Sequence, residues 1–228
     1  MKELIVHNRP KSPISEAYRS IRTNIQFANL DGNIKTILFT SATASEGKTT
    51  TLSNVAMTLV DAGHSVLIID CDLRKPRVHK FFEISNEKGM TDILLKGDDY
   101  KEYLHKNVHA RLHILPSGKI PGNPSELLYS EAMKTFIGKL KNDYDYIFVD
   151  SPPVLPVTDA AVMSTYMDAV ILVCASGQIE IEAAKRATEA LKNVKANILG
   201  AVINKIPIKE SRYSSYYYYY ANEEGETK

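Results

Sequence analysis

Hydrophobic residues along this chain form short, nearly continuous runs that alternate with segments of helical period. The runs are rich in Val, Ile and Leu, as in strands that helices cover on both faces of a sheet. They predict strands at Thr36–Ser41, Val66–Asp70, Leu112–Pro116, Tyr146–Asp150, Ala169–Cys174 and Leu199–Asn204. This alternation predicts an α/β fold, a doubly wound and mostly parallel sheet with helices on both faces and right-handed crossovers.

Two of the intervening segments carry a clear apolar stripe. Lys48–Ala62 has apolar residues at helical spacing and stops before Gly63, a residue that suits a helix C-cap. A second helix is predicted from Asn123 to Leu140, because Asn123-Pro124-Ser125-Glu126 offers an N-cap, a proline in the first turn and a glutamate three residues after the cap.

Both ends of the chain differ from this core. Residues 1–14 predict an extended arm that contains Pro10 and Pro13, and a polar helix follows at about 15–28. After residue 208 neither a helical nor a strand period continues, which predicts a flexible, tyrosine-rich tail. We therefore expect one domain at 1–208, which includes the N-terminal helix, and a tail at 209–228.

Composition adds limits rather than a function. The chain has 228 residues, of which 44% are hydrophobic and 24% are charged, as in an ordinary globular domain. Its formal net charge of +1 gives no indication of a nucleic-acid partner. No apolar stretch approaches the ~20 residues of a membrane span. We therefore expect a cytoplasmic protein, with Cys71 and Cys174 as buried free thiols.

The most specific local motif is ATASEGKT at residues 42–49, between a predicted strand and a predicted helix. In this context the backbone N–H groups of a P-loop bind the phosphates of ATP, Lys48 contacts the β- and γ-phosphates, and Thr49 binds Mg²⁺. Ala42 replaces the usual first glycine, which requires a negative φ there. The alternative is ordinary turn chemistry before a helix. The predicted nucleotide-binding residues of this segment are Ala44, Ser45, Glu46, Gly47, Lys48, Thr49 and Thr50.

Three aspartates follow predicted strands and complete this pattern. Asp150 ends YDYIFVD, while Asp70 and Asp72 end VLIIDCD, where a period of two places both on one side of the chain. Each aspartate alone could instead be a helix N-cap or a turn residue. Together with a P-loop they predict catalytic carboxylates, with Thr49, Asp70 and Asp150 at the metal. Either Asp70 or Asp72 could accept the proton of a phenol, whose pKa is ~10.

The segments SATASEGKTT, LIIDCDLRKP and YIFVDSPP, together with a terminal tyrosine cluster, closely resemble the bacterial tyrosine kinases of capsule and exopolysaccharide synthesis. These are similar to MinD/ParA-type ATPases and carry a second aspartate motif, Walker A′. The resemblance covers about residues 15–220. It implies that Lys48, Asp70, Asp72 and Asp150 are catalytic, and that Asn204 recognises adenine.

The N-terminal helix contains Glu16, Arg19 and Arg22 in the spacing E-x-x-R-x-x-R, which places them along one helical face. Such a face could be an ordinary solvated charged surface, or it could mediate assembly. In the resembled family this motif assembles a ring of subunits, so a homo-oligomer is expected. The resemblance also implies a membrane-anchored adaptor that activates the kinase and recruits it to the inner face of the membrane. Protein substrates such as sugar-nucleotide enzymes, and a tyrosine phosphatase, are further expected partners.

Six of the 13 tyrosines lie in the tail, without the aliphatic neighbours of a core or an interface. They are predicted autophosphorylation sites: Tyr213, Tyr216, Tyr217, Tyr218, Tyr219 and Tyr220. The alternative is a low-complexity end without function. A different function, a switch ATPase of the MinD/ParA kind without kinase activity, would share every motif up to Asn204 but would need neither the tail nor the E-x-x-R-x-x-R helix.

Overall fold

The computed structural model describes residues 3–207 and contains a seven-stranded sheet between two layers of helices. The strands are β1 (Thr36–Ser41), β2 (Val66–Asp70), β3 (His105–His109), β4 (Leu112–Leu115), β5 (Tyr146–Asp150), β6 (Ala169–Ala175) and β7 (Ile198–Asn204). The helices are α1 (Ile5–Asn8), α2 (Pro13–Ala28), α3 (Lys48–Asp61), α4 (Val78–Phe82), α5 (Met90–Lys96), α6 (Pro124–Tyr129), α7 (Glu131–Leu140), α8 (Asp159–Ser164) and α9 (Ile181–Asn193), with a 3₁₀ turn at Tyr100–Tyr103.

The strand order is β3-β4-β2-β5-β1-β6-β7. β3 pairs antiparallel with β4, and the other neighbours pair in parallel, which confirms the predicted doubly wound, mostly parallel sheet. Every residue of β1, β2, β5 and β6 is buried, as expected of strands that have helices on both faces. β7 is an edge strand and remains partly exposed.

Two hydrophobic clusters lie on the two faces of the sheet. One packs α1 to α4 against one face and includes Ile37 and Phe39 of β1. The other packs α5 to α9 against the opposite face and includes Leu38. Successive residues of β1 thus belong to alternate clusters, as the pleat of a strand requires. The carboxyl ends of the central strands remain uncovered and form the edge where the predicted site residues lie.

The predicted extended arm is wrong for the residues that the structure describes. Residues Ile5–Asn8 form a short helix, and Leu4 and Val6 are buried against α3 and the sheet. The Val6 N–H donates to Oδ1 of Asn54 at 3.1 Å. The arm packs because its two apolar side chains find a place beside the P-loop helix. α2 then begins at Pro13 rather than at residue 15, with Ser12 as its N-cap.

The single helix predicted from Asn123 to Leu140 is also wrong. α6 ends at Tyr129 and α7 begins at Glu131, because Ser130 has an extended backbone with φ −62° and ψ 150°. Ser130 accepts a hydrogen bond from the Met133 N–H at 3.2 Å and so caps the second helix. The side chain of Asn123 makes no capping hydrogen bond.

The remaining predicted bounds are confirmed to within one residue. The helix after the P-loop ends at Asp61 with Ala62 as its C-cap, and Gly63 adopts φ +95°. Across residues 3–207, no helix has both the length and the hydropathy needed to cross a bilayer.

Candidate active site

The P-loop of residues 42–49 connects β1 to α3, as predicted. Gly47 is the N-cap of α3 and has φ +90°, a conformation that favours glycine. Ala42 is fully buried and keeps a negative φ, so the missing first glycine leaves the loop intact. Ser45 has φ +66°, a left-handed conformation that the sequence did not indicate. The loop therefore contains one non-glycine residue in a strained backbone conformation.

Glu46 holds the loop through its side chain, a role that the sequence did not reveal. The residue is 1% exposed. Its Oε1 accepts hydrogen bonds from the N–H of Thr43 at 2.6 Å and from the Thr43 hydroxyl at 3.0 Å. Its Oε2 accepts from the Ala175 N–H at 3.1 Å, at the end of β6. Glu46 is itself part of the loop, and its carboxylate joins the loop to the carboxyl end of β6.

Asn204 contacts the P-loop directly. Its Nδ2 donates to the Glu46 carbonyl at 3.0 Å, and its Oδ1 accepts from the Lys205 N–H at 2.8 Å. A Cβ atom on Gly47 would lie 2.1 Å from Asn204 Nδ2, so only glycine fits beneath this amide. Lys205 Nζ donates to the Ser45 carbonyl at 2.7 Å. The end of β7 thus supports the loop, and adenine recognition by Asn204 stays a prediction.

Thr49 and Asp150 meet beneath the phosphate-binding loop. The Thr49 hydroxyl donates to Asp150 Oδ2 at 2.5 Å. The second oxygen, Oδ1, is buried and has no hydrogen-bond partner among residues 3–207. Burial raises the pKa of Asp150 to about 6, although the charge of Lys48 and the Thr49 hydrogen bond act in the opposite direction. An unsatisfied carboxylate oxygen beside a threonine hydroxyl is the donor set that suits a hydrated Mg²⁺ ion.

Asp70 and Asp72 occupy different environments at the end of β2. Asp70 is fully buried, and its Oδ2 accepts from the N–H groups of Arg77 at 3.0 Å and Val78 at 2.9 Å. These bonds fold residues 71–77, here named the A′ loop, around the carboxylate. Burial and then the charge of Asp150 raise the pKa of Asp70.

Asp72 lines the cleft in front of the P-loop, whereas Asp70 does not. Its Oδ1 accepts from the Lys75 N–H at 3.0 Å. Burial raises the pKa of Asp72, while the Lys75 N–H and the charge of Lys48 oppose that rise. Strand β2 ends at Asp70, so the predicted alternation does not extend to Asp72. The loop conformation, rather than the pleat, brings Asp72 towards Lys48.

An ion pair between the exposed Arg74 and the buried Asp159 holds the A′ loop. Arg74 donates from Nε to Asp159 Oδ2 at 2.7 Å and from Nη2 to Oδ1 at 3.1 Å. Ser125 also donates to Asp159 Oδ1, at 2.7 Å. Burial alone would raise the pKa of Asp159, but the hydrogen bonds from Arg74 and Ser125 lower it. The sequence did not indicate a role for Asp159, because an acidic residue in the first turn of a helix is common and carries no specific signal.

The cleft in front of the loop has a volume of about 560 Å³, enough for a nucleotide and part of a second substrate. The P-loop and Lys205 line it, and so do Asp72, the basic residues of the segment 74–80, and Phe81. Pro152, Pro153, Pro156 and Val157 supply apolar surface after β5. Glu3 reaches its rim and accepts from the Thr50 hydroxyl at 3.0 Å.

The three residues of the E-x-x-R-x-x-R motif have separate roles in the folded chain. Arg19 forms an ion pair with Glu16 at 2.9 Å on the surface of α2. Arg22 instead donates from Nη1 to the Thr58 carbonyl at 3.1 Å, and so joins α2 to the P-loop helix. The predicted autophosphorylation sites from Tyr213 to Tyr220 lie outside the described residues.

Comparisons with known proteins match this arrangement. A family model described as an AAA domain matches residues 34–205. The chain is 42% identical over 218 residues to the tyrosine-protein kinase YwqD of Bacillus subtilis (strain 168), which covers 96% of this chain and 91% of that relative. It is 34% identical over 209 residues to the tyrosine-protein kinase CpsD of Streptococcus agalactiae, covering 91% and 90% of the two chains. The kinase domain of the Escherichia coli tyrosine kinase ETK superposes with a TM-score of 0.87 at 30% identity, covering 91% of this chain and 82% of that one.

Proposed function

The chain belongs to the family of bacterial tyrosine-protein kinases, and we propose that it transfers the γ-phosphoryl group of ATP to tyrosine side chains, including those of its own tail. The observation that carries this proposal is the position of Asp72 in the cleft of the P-loop, within the electrostatic influence of Lys48. A carboxylate in this position can accept a hydrogen bond from the hydroxyl of an acceptor tyrosine. It also lies close to the positive charge that surrounds the transferred phosphoryl group.

The P-loop would hold the phosphates through its backbone N–H groups and Lys48. Thr49 and Asp150 would hold Mg²⁺, with Asp70 as a further predicted ligand; the ion supplies positive charge to the β- and γ-phosphate oxygens. Asp72 would accept the proton of the phenol as its oxygen forms a bond to the γ-phosphorus and the bond to the β-phosphate oxygen breaks. We assign this role to Asp72 rather than Asp70, because both oxygens of Asp70 already accept backbone N–H groups.

We further propose regulation by assembly. The E-x-x-R-x-x-R helix would mediate a ring-like homo-oligomer, and a membrane-anchored adaptor would recruit the chain to the inner face of the membrane and activate it. Sugar-nucleotide enzymes of capsule or exopolysaccharide synthesis would be substrates, and a tyrosine phosphatase would reverse the reaction. These assignments rest on the resemblance of residues 15–220 and not on a contact within the described chain.

Mass spectrometry after incubation with ATP and Mg²⁺ tests the proposal, with Lys48→Met as the inactive control. We expect phosphate on Tyr213 and Tyr216–Tyr220 of the wild type and none on the variant. A parallel incubation includes a cytoplasmic fragment of a membrane adaptor, since an unstimulated kinase would otherwise remain unmodified. ADP release that depends on Lys48, without phosphotyrosine in either incubation, would refute the kinase and favour the switch ATPase.

A further inference from the structure

We propose that Lys75, Arg77 and Lys80, here named the basic wall, bind anionic groups next to the acceptor tyrosine. The kinase would then prefer tyrosines that are flanked by carboxylates or by phosphotyrosines. This inference rests on the proposed kinase function and adds a substrate preference to it.

The basic wall carries three positive charges whose side chains are not engaged elsewhere in residues 3–207. All three residues are exposed and line the cleft. Their side chains make no hydrogen bond or ion pair with the described part of the chain, and they are therefore available to a ligand in the cleft. Arg74 differs, because Asp159 accepts two hydrogen bonds from its guanidinium group. The wall thus has charge that residues 3–207 do not neutralise by direct contact.

The wall belongs to a different segment of the chain from the P-loop, although both line the same cleft. The P-loop has its own cation in Lys48, together with the N–H groups at the start of α3. The basic wall instead follows Asp72 in the A′ loop and continues into α4. Arg77 is the N-cap of that helix, Lys80 follows three residues later within it, and both side chains line the cleft. A group that approaches Asp72 therefore passes beside the wall.

The remaining lining of the cleft suits an aromatic ring. Phe81 and the prolines Pro152, Pro153 and Pro156 provide flat apolar surface near the same opening. A tyrosine could pack its ring there and present its hydroxyl to Asp72, while its charged neighbours contact Lys75, Arg77 or Lys80. Apolar surface for the ring together with cations for the flanks defines an acidic, tyrosine-containing peptide as the acceptor.

The sequence of the tail contains both sources of negative charge. Glu223, Glu224 and Glu226 follow the tyrosine run. Each phosphotyrosine would add about −1.5 to −2 charges at neutral pH. Carboxylates would favour the first phosphorylation, and each phosphate would then favour the next tyrosine. The wall thereby predicts that multiple phosphorylation of one tail proceeds more readily than its first step.

Three synthetic acceptors test the proposal with the full-length chain, ATP and Mg²⁺. Each copies residues 213–226 and keeps Tyr220 as the single reactive tyrosine, with phenylalanine at the other tyrosine positions. The first peptide retains Glu223, Glu224 and Glu226, and the second has glutamine in their place. The third has glutamine there and phosphotyrosine at position 219. We expect kcat/KM to be about fivefold to tenfold higher for either anionic peptide than for the neutral one.

The double variant Arg77→Gln/Lys80→Gln should abolish this difference, while Arg77→Lys/Lys80→Arg should retain it. These changes leave the backbone N–H groups that hold Asp70 in place. Lys192→Gln, an exposed charge loss on α9, is the matched control and should keep the preference. Preference for only one anionic peptide would support the wall and identify its source of charge.

Equal kcat/KM for the three peptides, with the tail still phosphorylated, would overturn the basic wall but leave the kinase function standing. A rise in the KM for ATP in the double variant, with the peptide preference intact, would also overturn it and assign the wall to the nucleotide. Absence of phosphotyrosine on tail and peptides alike, with the adaptor fragment present, would overturn the kinase function itself.

Discussion

At the scale of single residues, the burial of Asp150 makes the free energy of unfolding depend on pH. Burial raises its pKa to about 6, whereas an aspartate in an unfolded chain titrates near ~3.9. Between these values the folded chain holds a proton that the unfolded chain releases. The free energy of unfolding attributable to Asp150 must therefore fall as the pH rises from about 4 to about 6.

We expect Asp150→Asn to be more stable than the wild type at pH 7, by about 2–3 kcal/mol, when nucleotide and Mg²⁺ are absent. Near pH 4 the difference should shrink to about 0.5 kcal/mol, because the folded carboxyl is then protonated and the unfolded one is about half protonated. Urea unfolding at both pH values measures this, with the exposed Asp61→Asn as control. An equal difference at pH 4 and pH 7 would contradict the assignment. Binding of Mg²⁺ and ATP needs the carboxylate and should weaken below about pH 6.

Asp159 affects the active site through Arg74, whose guanidinium group it binds. Asp159→Asn would leave the Arg74 guanidinium without its charged acceptor and should lower the free energy of unfolding by about 1–3 kcal/mol. The looser A′ loop should reduce kcat more than it changes the KM for ATP, since Asp72 moves while the P-loop stays in place. Steady-state kinetics on a tyrosine peptide checks this split. A rise confined to the KM for ATP would place Asp159 in nucleotide binding instead.

How far the sequence predicts single residues depends on where their partners lie. Lys48, Thr49 and Asp150 were predictable, because a motif between a strand and a helix fixes their chemistry. The Glu46 carboxylate and Asp159 were not, because their partners Ala175 and Arg74 lie 129 and 85 positions away along the chain. A short motif contains no information about such distant contacts.

At the scale of elements, α1 links the N-terminus to the nucleotide site. Leu4 is 1% exposed within the cluster that supports α3. We expect Leu4→Ala to lower the free energy of unfolding by about 2–4 kcal/mol, since it creates a cavity in a packed cluster. Leu30→Ala, at a residue that is 81% exposed, is the matched control and should change it by less than about 0.5 kcal/mol.

Chemical denaturation of both variants makes this comparison. Similar values for Leu4→Ala and Leu30→Ala would mean that the N-terminal segment is not anchored in solution.

The N-terminal helix was not predictable, because four helical residues give no usable periodicity and two prolines nearby favoured an extended chain. The break at Ser130 escaped for a related reason. The hydrogen bond that caps α7 at Ser130 separates two helices, although the stripe of apolar residues continues on both sides of Ser130.

At the scale of the whole molecule, phosphorylation of the tail should control assembly. Several phosphotyrosines would bring about −1.5 to −2 charges each, and like charges crowded within a ring repel one another. We expect the unphosphorylated chain to assemble and the heavily phosphorylated chain to dissociate. Size-exclusion chromatography with light scattering measures the change, and Lys48→Met incubated with ATP should stay assembled. Identical elution before and after phosphorylation would refute this prediction.

The overall fold was largely predictable, because buried parallel strands leave a strong pattern of apolar runs. The helix positions after β2 and the antiparallel β3 were not, since short and partly polar segments such as His105–His109 carry little periodic signal. The separation of Asp70 from the cleft followed from the A′ loop, whose conformation depends on backbone bonds that no side-chain pattern records.

The support of the P-loop by the ends of β6 and β7 has a consequence for biosynthesis. Asn204 and Lys205 reach the loop across 158 and 160 positions of the chain. A growing polypeptide that has emerged from the ribosome only as far as α9 would possess the complete phosphate-binding motif without its support. The capacity to bind ATP should therefore appear abruptly and late in translation, once the last strand is free to join the sheet.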